Sequence, residues 1–325
     1  MRLTMLFLSS ILLLSGCRQQ GYDRQSLIAL GTVCTIQLPA GTNPKVYDQV
    51  QKAIDTVDGE LSRTKDSSQI AILNKEKQAV LSDDVLALLE EGIEVAEKTD
   101  GAFDPAIGAL TGMWAIATDH PRVPSEEEIR GADTNWRHIR IAGNQVTIPS
   151  NMEIDLGAIG KGYAADRIKK TLWENGITSA LVNLGGNIYA IGEKQGGDPW
   201  VIGLRDPNGS EGQAFITIQV RDLSLVTSGA YERNFTQDGV TYHHILDRKS
   251  GYPAESDLSS ASIIGPSSTL CDALSTSVFV LGSEKGMELV ESLSGYACVL
   301  VKKDGTILFS HGFPYPYQLV THVSG

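Results

Sequence analysis

EIDLGAIGKGYAADRI, from Glu153 to Ile168, leaves an apolar strand end, passes through Gly157, Gly160 and Gly162, and continues as a helix. That helix is expected from about Ala158 to Asn175, closed by Gly176. Beyond it the chain is strand-rich: Ala180 to Asn183, Ile188 to Ile191, Trp200 to Leu204 and Phe215 to Val220 are short β segments separated by Gly, Pro and Asn turns. Before it, IRIAGNQVTI (Ile139 to Ile148) reads as a hairpin. Further upstream, Val46, Val50, Ile54, Val57 and Leu61 recur at helical spacing after Pro44. A second amphipathic helix runs from a Ser82 cap through Leu86, Leu89, Ile93 and Ala96 to a stop at Gly101. Ser26 to Leu38 reads as one strand, Leu270 to Val280 and Glu284 to Leu293 as two late helices, and YACVLVKKDGTILFS as a closing hairpin turning on Asp304 and Gly305. No low-complexity linker interrupts the series. The expectation is α+β: one compact body of mixed or antiparallel sheets with packed helices over residues 26–325.

Composition narrows the function classes. Among 325 residues, 42% are hydrophobic and 20% charged, and the formal net charge is −12 without a basic stripe, which argues against nucleic-acid binding. Arg2 followed by the apolar run Met5 to Leu14 reads as a signal peptide over residues 1–16. Leu14, Ser15, Gly16 and Cys17 look like a bacterial lipobox, so Cys17 is expected to be lipidated, with residues 17–25 as a tether. The expected address is the bacterial periplasm, on a membrane surface that the chain does not cross. Cys34, Cys271 and Cys298 then remain, an odd number without CxxC spacing, which suggests neither zinc nor a disulfide framework.

Four segments offer chemistry. Asp272 and Thr276 stand four apart on one helix, presenting a carboxylate and a hydroxyl in one direction, hard ligands of the kind Mg²⁺ takes. A helix-start Asp serving the dipole gives the same pattern. The glycine turn before the Ala158 helix exposes N–H groups beside Lys161, suited to a phosphate, although strand-to-helix packing alone also calls for glycine. TYHHILD places His243 and His244 on opposite faces of an expected strand, where one of them can serve as a general base. In GAFDP, Asp104 before Pro105 suits a helix cap, while Phe103 can line an apolar pocket.

In order along the chain, these segments resemble the FAD:protein FMN transferases of the ApbE family. The blocks are LGT at Leu30, SRTKDSSQIAILN at Ser62, TDGAFDP at Thr99, DLGAIGKGYAAD at Asp155, NLGGNIYAIG at Asn183, TSGAYER at Thr227, HILDRKSG at His244 and CDALSTSVFVLG at Cys271. The resemblance implies Mg²⁺ held by Asp272, Thr276 and the backbone of Ala158. It implies FAD contacts at Leu30, Thr64, Ala102, Phe103, Asp104, Asp155 and Lys161, with His244 and Ile245 closing the pocket. It also implies that His244 is the base that takes a proton from a Thr or Ser of an acceptor flavoprotein, a redox-complex subunit or other exported protein, with AMP leaving.

The sequence departs from the family pattern at three of these positions. Thr64 stands where many members carry an aromatic residue, so a stacking partner for the flavin nucleotide is missing and FAD hydrolysis to FMN and AMP becomes an alternative outcome. Arg248 replaces a common Pro in what reads as a turn, and Leu30 replaces a Met. SGA at Ser228 to Ala230 is similar to an acceptor motif, but Tyr231 follows it and not Thr or Ser, so self-modification is not expected. A third reading, an FAD-binding lipoprotein without activity, sits poorly with the joint presence of Asp272, Thr276 and His244.

Overall fold

The computed structural model describes residues 21–320 apart from 208, 210 and 211; the signal segment and Cys17 lie outside the described residues. The stretch expected to be one strand is a hairpin, β1 (Tyr22–Ala29) and β2 (Thr32–Pro39). Its two-residue turn holds Leu30 at φ 52° and Gly31 at φ 68°, the backbone that matches the twist of paired strands. Leucine is not a turn former, so of the two turn residues Gly31 alone marks the break in the sequence. Residues 22–25, which the sequence reading gave to a tether, are part of β1 and pair with Pro39 to Ile36. Tyr22 fixes this end, its ring edge-on to Trp200 at 5.0 Å and its hydroxyl 2.6 Å from Ser179 Oγ.

The core is an eight-stranded, wholly antiparallel sheet. Its order is β1, β2, β6 (Ala180–Leu184), β7 (Asn187–Ile191), β10 (Leu223–Gly229), β13 (Leu258–Gly265), β14 (Ala297–Lys302) and β15 (Ile307–Phe309). Alternation along each strand sends successive side chains to opposite faces. Leu225, Ile264 and Val299 meet a three-stranded sheet of β8 (Trp200–Arg205), β9 (Ala214–Val220) and β16 (Tyr317–Leu319). Val226, Ile263 and Cys298 point the other way, into the helical layer. That layer contains α1 (Pro44–Leu61), α6 (Gly157–Glu174) and α7 (Ser268–Glu291), and α1 and α6 bury Ile54, Val57, Ile168 and Leu172 against β2 and β6.

Beyond α6 and α7 lies a smaller unit of α2 (Gln69–Glu76), α3 (Asp83–Lys98) and the sheet β3 (Gln78–Val80), β5 (Gln145–Thr147), β4 (Arg140–Ala142). The expected Ser82 cap forms, accepting from Val85 N (3.4 Å), and Asn43 before Pro44 caps α1, accepting from Lys45 N (3.0 Å). The two late helices abut: α7 breaks at Gly282, at φ 81° and ψ 178°, and Asp257 accepts from Ser283 N (2.8 Å) at the restart. Cys34, Cys271 and Cys298 are buried free thiols.

Helices α6 and α7 cross at Gly162, where a β-carbon would stand 2.2 Å from the Ser268 carbonyl oxygen. Their approach is fastened from both sides. Asp166 on α6 accepts from Ser268 N (3.1 Å) and Thr269 N (2.8 Å), capping α7. Asp272 on α7 accepts from Gly162 N at 2.9 Å. Gly162→Ala forces the helices apart and should lower stability by about 2–3 kcal/mol, read as a shift of the urea midpoint. An unchanged midpoint would refute this account of the crossing.

Candidate active site

The α6 start, the β1–β2 turn and the end of α1 enclose a cleft of about 290 Å³, lined by Leu30, Leu61, Arg63, Asp155, Gly157, Gly160, Lys161 and Arg233, among others. The positive end of α6 faces it, and Leu156 at the N-cap position has no side-chain oxygen to give. Asp155 instead closes the first turn, its Oδ1 accepting from Gly157 N at 2.8 Å. Its Oδ2 accepts from Thr111 Oγ1 (2.7 Å) and Arg63 Nη1 (3.3 Å). A larger hollow of about 450 Å³, lined by Glu291, Tyr296 and His311, contains none of the expected residues.

Beside the cleft, Lys161 Nζ stands 3.5 Å from Asp272 Oδ1. Burial pushes the Asp272 carboxyl up, while the Lys161 ammonium and the Gly162 N–H oppose that shift. The Gly162 N–H, whose helical acceptor position is the Ala158 carbonyl, is directed to Asp272 Oδ2 at 2.9 Å. Thr276, one turn on from Asp272, lies 3.4 Å from Ser228 Oγ through its hydroxyl. Carboxylate, hydroxyl and a nearby carbonyl make an all-oxygen set with a single anionic member, a fit for Mg²⁺ that keeps positions for substrate phosphate. Among the described residues no group of three or more His, Cys, Asp and Glu could hold a metal ion.

The histidines part as expected, although the strand β12 (Val240–His243) ends before the second of them. His243 Nδ1 accepts from Ile245 N (3.3 Å) and its ring meets Phe279 edge-on. His244 goes the other way: its Nδ1 lies 3.2 Å from the Arg233 carbonyl. A carbonyl only accepts, so Nδ1 carries the hydrogen and Nε2 the lone pair. Burial, aided by the positive charges of Arg233 and Lys161, lowers the His244 pKa to about 4. At neutral pH the ring is uncharged, with its lone pair at Nε2.

GAFDP differs most from the sequence reading. Phe103 is only 2% exposed, packed in the core shared by α3 and α6, and does not line an apolar pocket with its side chain. Only its main chain, and that of half-buried Ala102, is left to face a ligand; Ile245 is likewise a core residue. Asp104 does close a turn, accepting from Ala106 N at 2.8 Å. The segment after it runs parallel to the approach to α6, with Asp155 N donating to Pro105 O at 2.8 Å. Arg248, read as an indifferent turn residue, reaches Asp104 Oδ2 (Nε at 3.5 Å) and lies over Trp136 at 4.6 Å. Thr64 is exposed beside the rim formed by Ser62 and Arg63.

Arg63 is the residue that pattern reading missed. It donates to Glu153 Oε2 (2.7 Å), the Gly108 carbonyl (2.6 Å) and Thr111 (2.6 Å), tying the loop after α1 to the approach to α6. Arg233, which donates to Gly31 O at 3.1 Å, was also missed. Arg63 lies in SRTKDSSQIAILN and Arg233 in TSGAYER, but no spacing rule shows where a long side chain ends.

The model of the ApbE family matches residues 30–300. The chain belongs to the ApbE family. It is 38% identical to the FAD:protein FMN transferase of Treponema pallidum, over 91% of this chain and 88% of that one. With the protein of the same name from Vibrio cholerae it shares 30% over 94% and 95%. The crystal structure of the ApbE protein of Thermotoga maritima superposes with a TM-score of 0.83 at 32% identity, covering 90% of this chain and 98% of that one. The flavin transferase ApbE of Vibrio cholerae gives 0.79 at 27%, with the same coverage. The expected α+β body is thus the ApbE fold.

Asp104 supplies a test of the site's electrostatics. Its carboxyl is raised to about 7, by burial first, against the Ala106 N–H and Arg248, with Asp133 adding to the rise. The folded protein therefore holds this proton where the unfolded chain has lost it, and the group's contribution to stability is lost as pH rises from about 4 through 7. Asp104→Asn should remove that slope, so that the difference in urea midpoint between variant and wild type changes across this range; a constant difference would refute the assignment.

Proposed function

We propose that this chain is an Mg²⁺-dependent FAD:protein FMN transferase. The observation that carries the reading is a cleft lined by the α6 start, Lys161 and Arg233, with Lys161 against the buried Asp272 and His244 held through Nδ1 by the Arg233 carbonyl. The named activity of the relatives makes FAD the substrate. In the reaction, a Thr or Ser oxygen of the acceptor flavoprotein bonds to the FMN phosphorus, the bond to the bridging oxygen breaks, and AMP leaves. His244 takes the hydroxyl proton at Nε2. Lys161 and the positive end of the α6 dipole hold phosphate oxygens. Asp272, Thr276 and the Ala158 carbonyl would hold Mg²⁺, which supplies charge neutralisation at the pyrophosphate.

The exposed Thr64 favours hydrolysis as a second outcome, since no ring covers that rim and water has access. The address belongs to the same proposal: lipidated at Cys17, the enzyme works in the bacterial periplasm, tethered beside exported acceptors. No helix among the described residues is long and apolar enough to cross a membrane.

The assay uses the full chain, FAD, Mg²⁺ and a flavin-free redox-complex subunit with its target threonine, read by in-gel flavin fluorescence and AMP release. Wild type should label the acceptor, and chelation of Mg²⁺ should stop it. Asp272→Ala and His244→Ala should each lose about 10²-fold or more in rate while still binding FAD. AMP without labelling would establish a hydrolase, and no AMP would overturn both reactions. Thr64→Tyr should suppress AMP release in the absence of acceptor; an unchanged rate would remove Thr64 as the cause of hydrolysis.

A further inference from the structure

The β1–β2 hairpin is one wall of the cleft and also carries apolar surface that the cleft does not use. Leu30 at its turn lines the cleft, and the Gly31 carbonyl accepts from Arg233. Immediately before and after the turn, Ile28 is 86% exposed and Val33 60% exposed. They are direct cross-strand partners, so both side chains stand on one face as a single patch. Tyr22, six residues before Ile28 and on the same face, is packed into the core of the second sheet. That sheet does not reach the hairpin tip.

The edge of β1 is equally open. Among the described residues its outer side has no strand partner. Its pairing with β2 is unbroken from Tyr22 to Ala29, without a bulge, and its only charges, Asp23 and Arg24, stand at the far end. Gln25 to Ala29 thus lacks the charge, proline or bulge that usually guards an edge. An extended segment can pair with such a strand through its main chain while its side chains reach the apolar patch.

We propose that the hairpin tip docks the acceptor polypeptide, an extended segment of which lies along β1 and against Ile28 and Val33, so that its hydroxyl passes Leu30 into the cleft. The inference rests on the transferase reading, because that reaction brings a polypeptide to this wall. FAD, a polar dinucleotide, has no use for two bare aliphatic side chains outside its cleft.

The test is the transfer assay with Ile28→Lys/Val33→Lys and, as a control on the opposite sheet, Val201→Lys, which changes an exposed valine of β8. The double variant should raise the KM for the acceptor about tenfold, leaving KM for FAD and kcat at saturating acceptor within about twofold; Val201→Lys should change none of these. An acceptor KM that stays put, or one that rises equally in the control, overturns the docking site. An unchanged acceptor KM with lost vesicle binding or an altered oligomeric state assigns the patch to a lipid surface or a second copy instead, and likewise overturns it. Wild-type protein in the same assay separates the two ideas: if it fails to label the acceptor, the transferase reading falls, whereas labelled wild type beside an unaffected variant removes only the docking surface.

Discussion

Two carboxylates exchanged between α6 and α7 hold the rest of this structure in place. Asp166 leaves α6 to cap α7, and Asp272 leaves α7 to accept from Gly162 on α6. Neither bond can form unless the helix axes come close, and Gly162 is the position that lets them. Each helix covers a different stretch of the main sheet, α6 over β2 and β6, α7 over β10, β13 and β14. The crossing therefore also fixes where the glycine turn meets the strands carrying Leu30 and Ser228.

This crossing also places the chemistry. A carboxylate buried between two helices is costly unless it is hydrogen-bonded and faces a cation. Asp272 has both, in the Gly162 N–H and the Lys161 ammonium. The same residue thus serves the packing of the helices and the charge balance of the cleft. Arg63 plays a comparable part on the other wall. It gathers Glu153, Asp155 and Thr111 around one guanidinium, so the loop after α1 and the approach to α6 move as one.

The segment from His244 to Arg248 joins the two halves of the site. At one end His244 is oriented by the Arg233 carbonyl. At the other, Arg248 and Lys249 pair with Asp104 and Asp100. A close turn carries these two basic residues, with Asp247 N donating to Tyr252 O and Trp114 Nε1 to Gly251 O. A β-carbon at Gly101 would stand 1.9 Å from Arg248 Nε, so the glycine of GAFDP serves this arginine as well as its own positive φ of 78°.

The sequence by itself determined what short-range physics can encode. Helical periodicity located α1 and α3, Pro44 and Ser82 marked their starts, and glycine turns bounded α6 and the strands after it. It also supplied the oxygen pair Asp272 and Thr276, since four residues along a helix is one face wherever that helix packs. Only the tertiary structure decided the rest. Leu30 became a turn because its partners across the hairpin imposed a positive φ, Phe103 went into the core because α3 covers it, and Arg248 left its turn to meet a buried carboxylate far away in the chain. Long side chains and strand partners are chosen by contacts between distant residues, and those contacts exist only once the sheet and the α6–α7 crossing have formed.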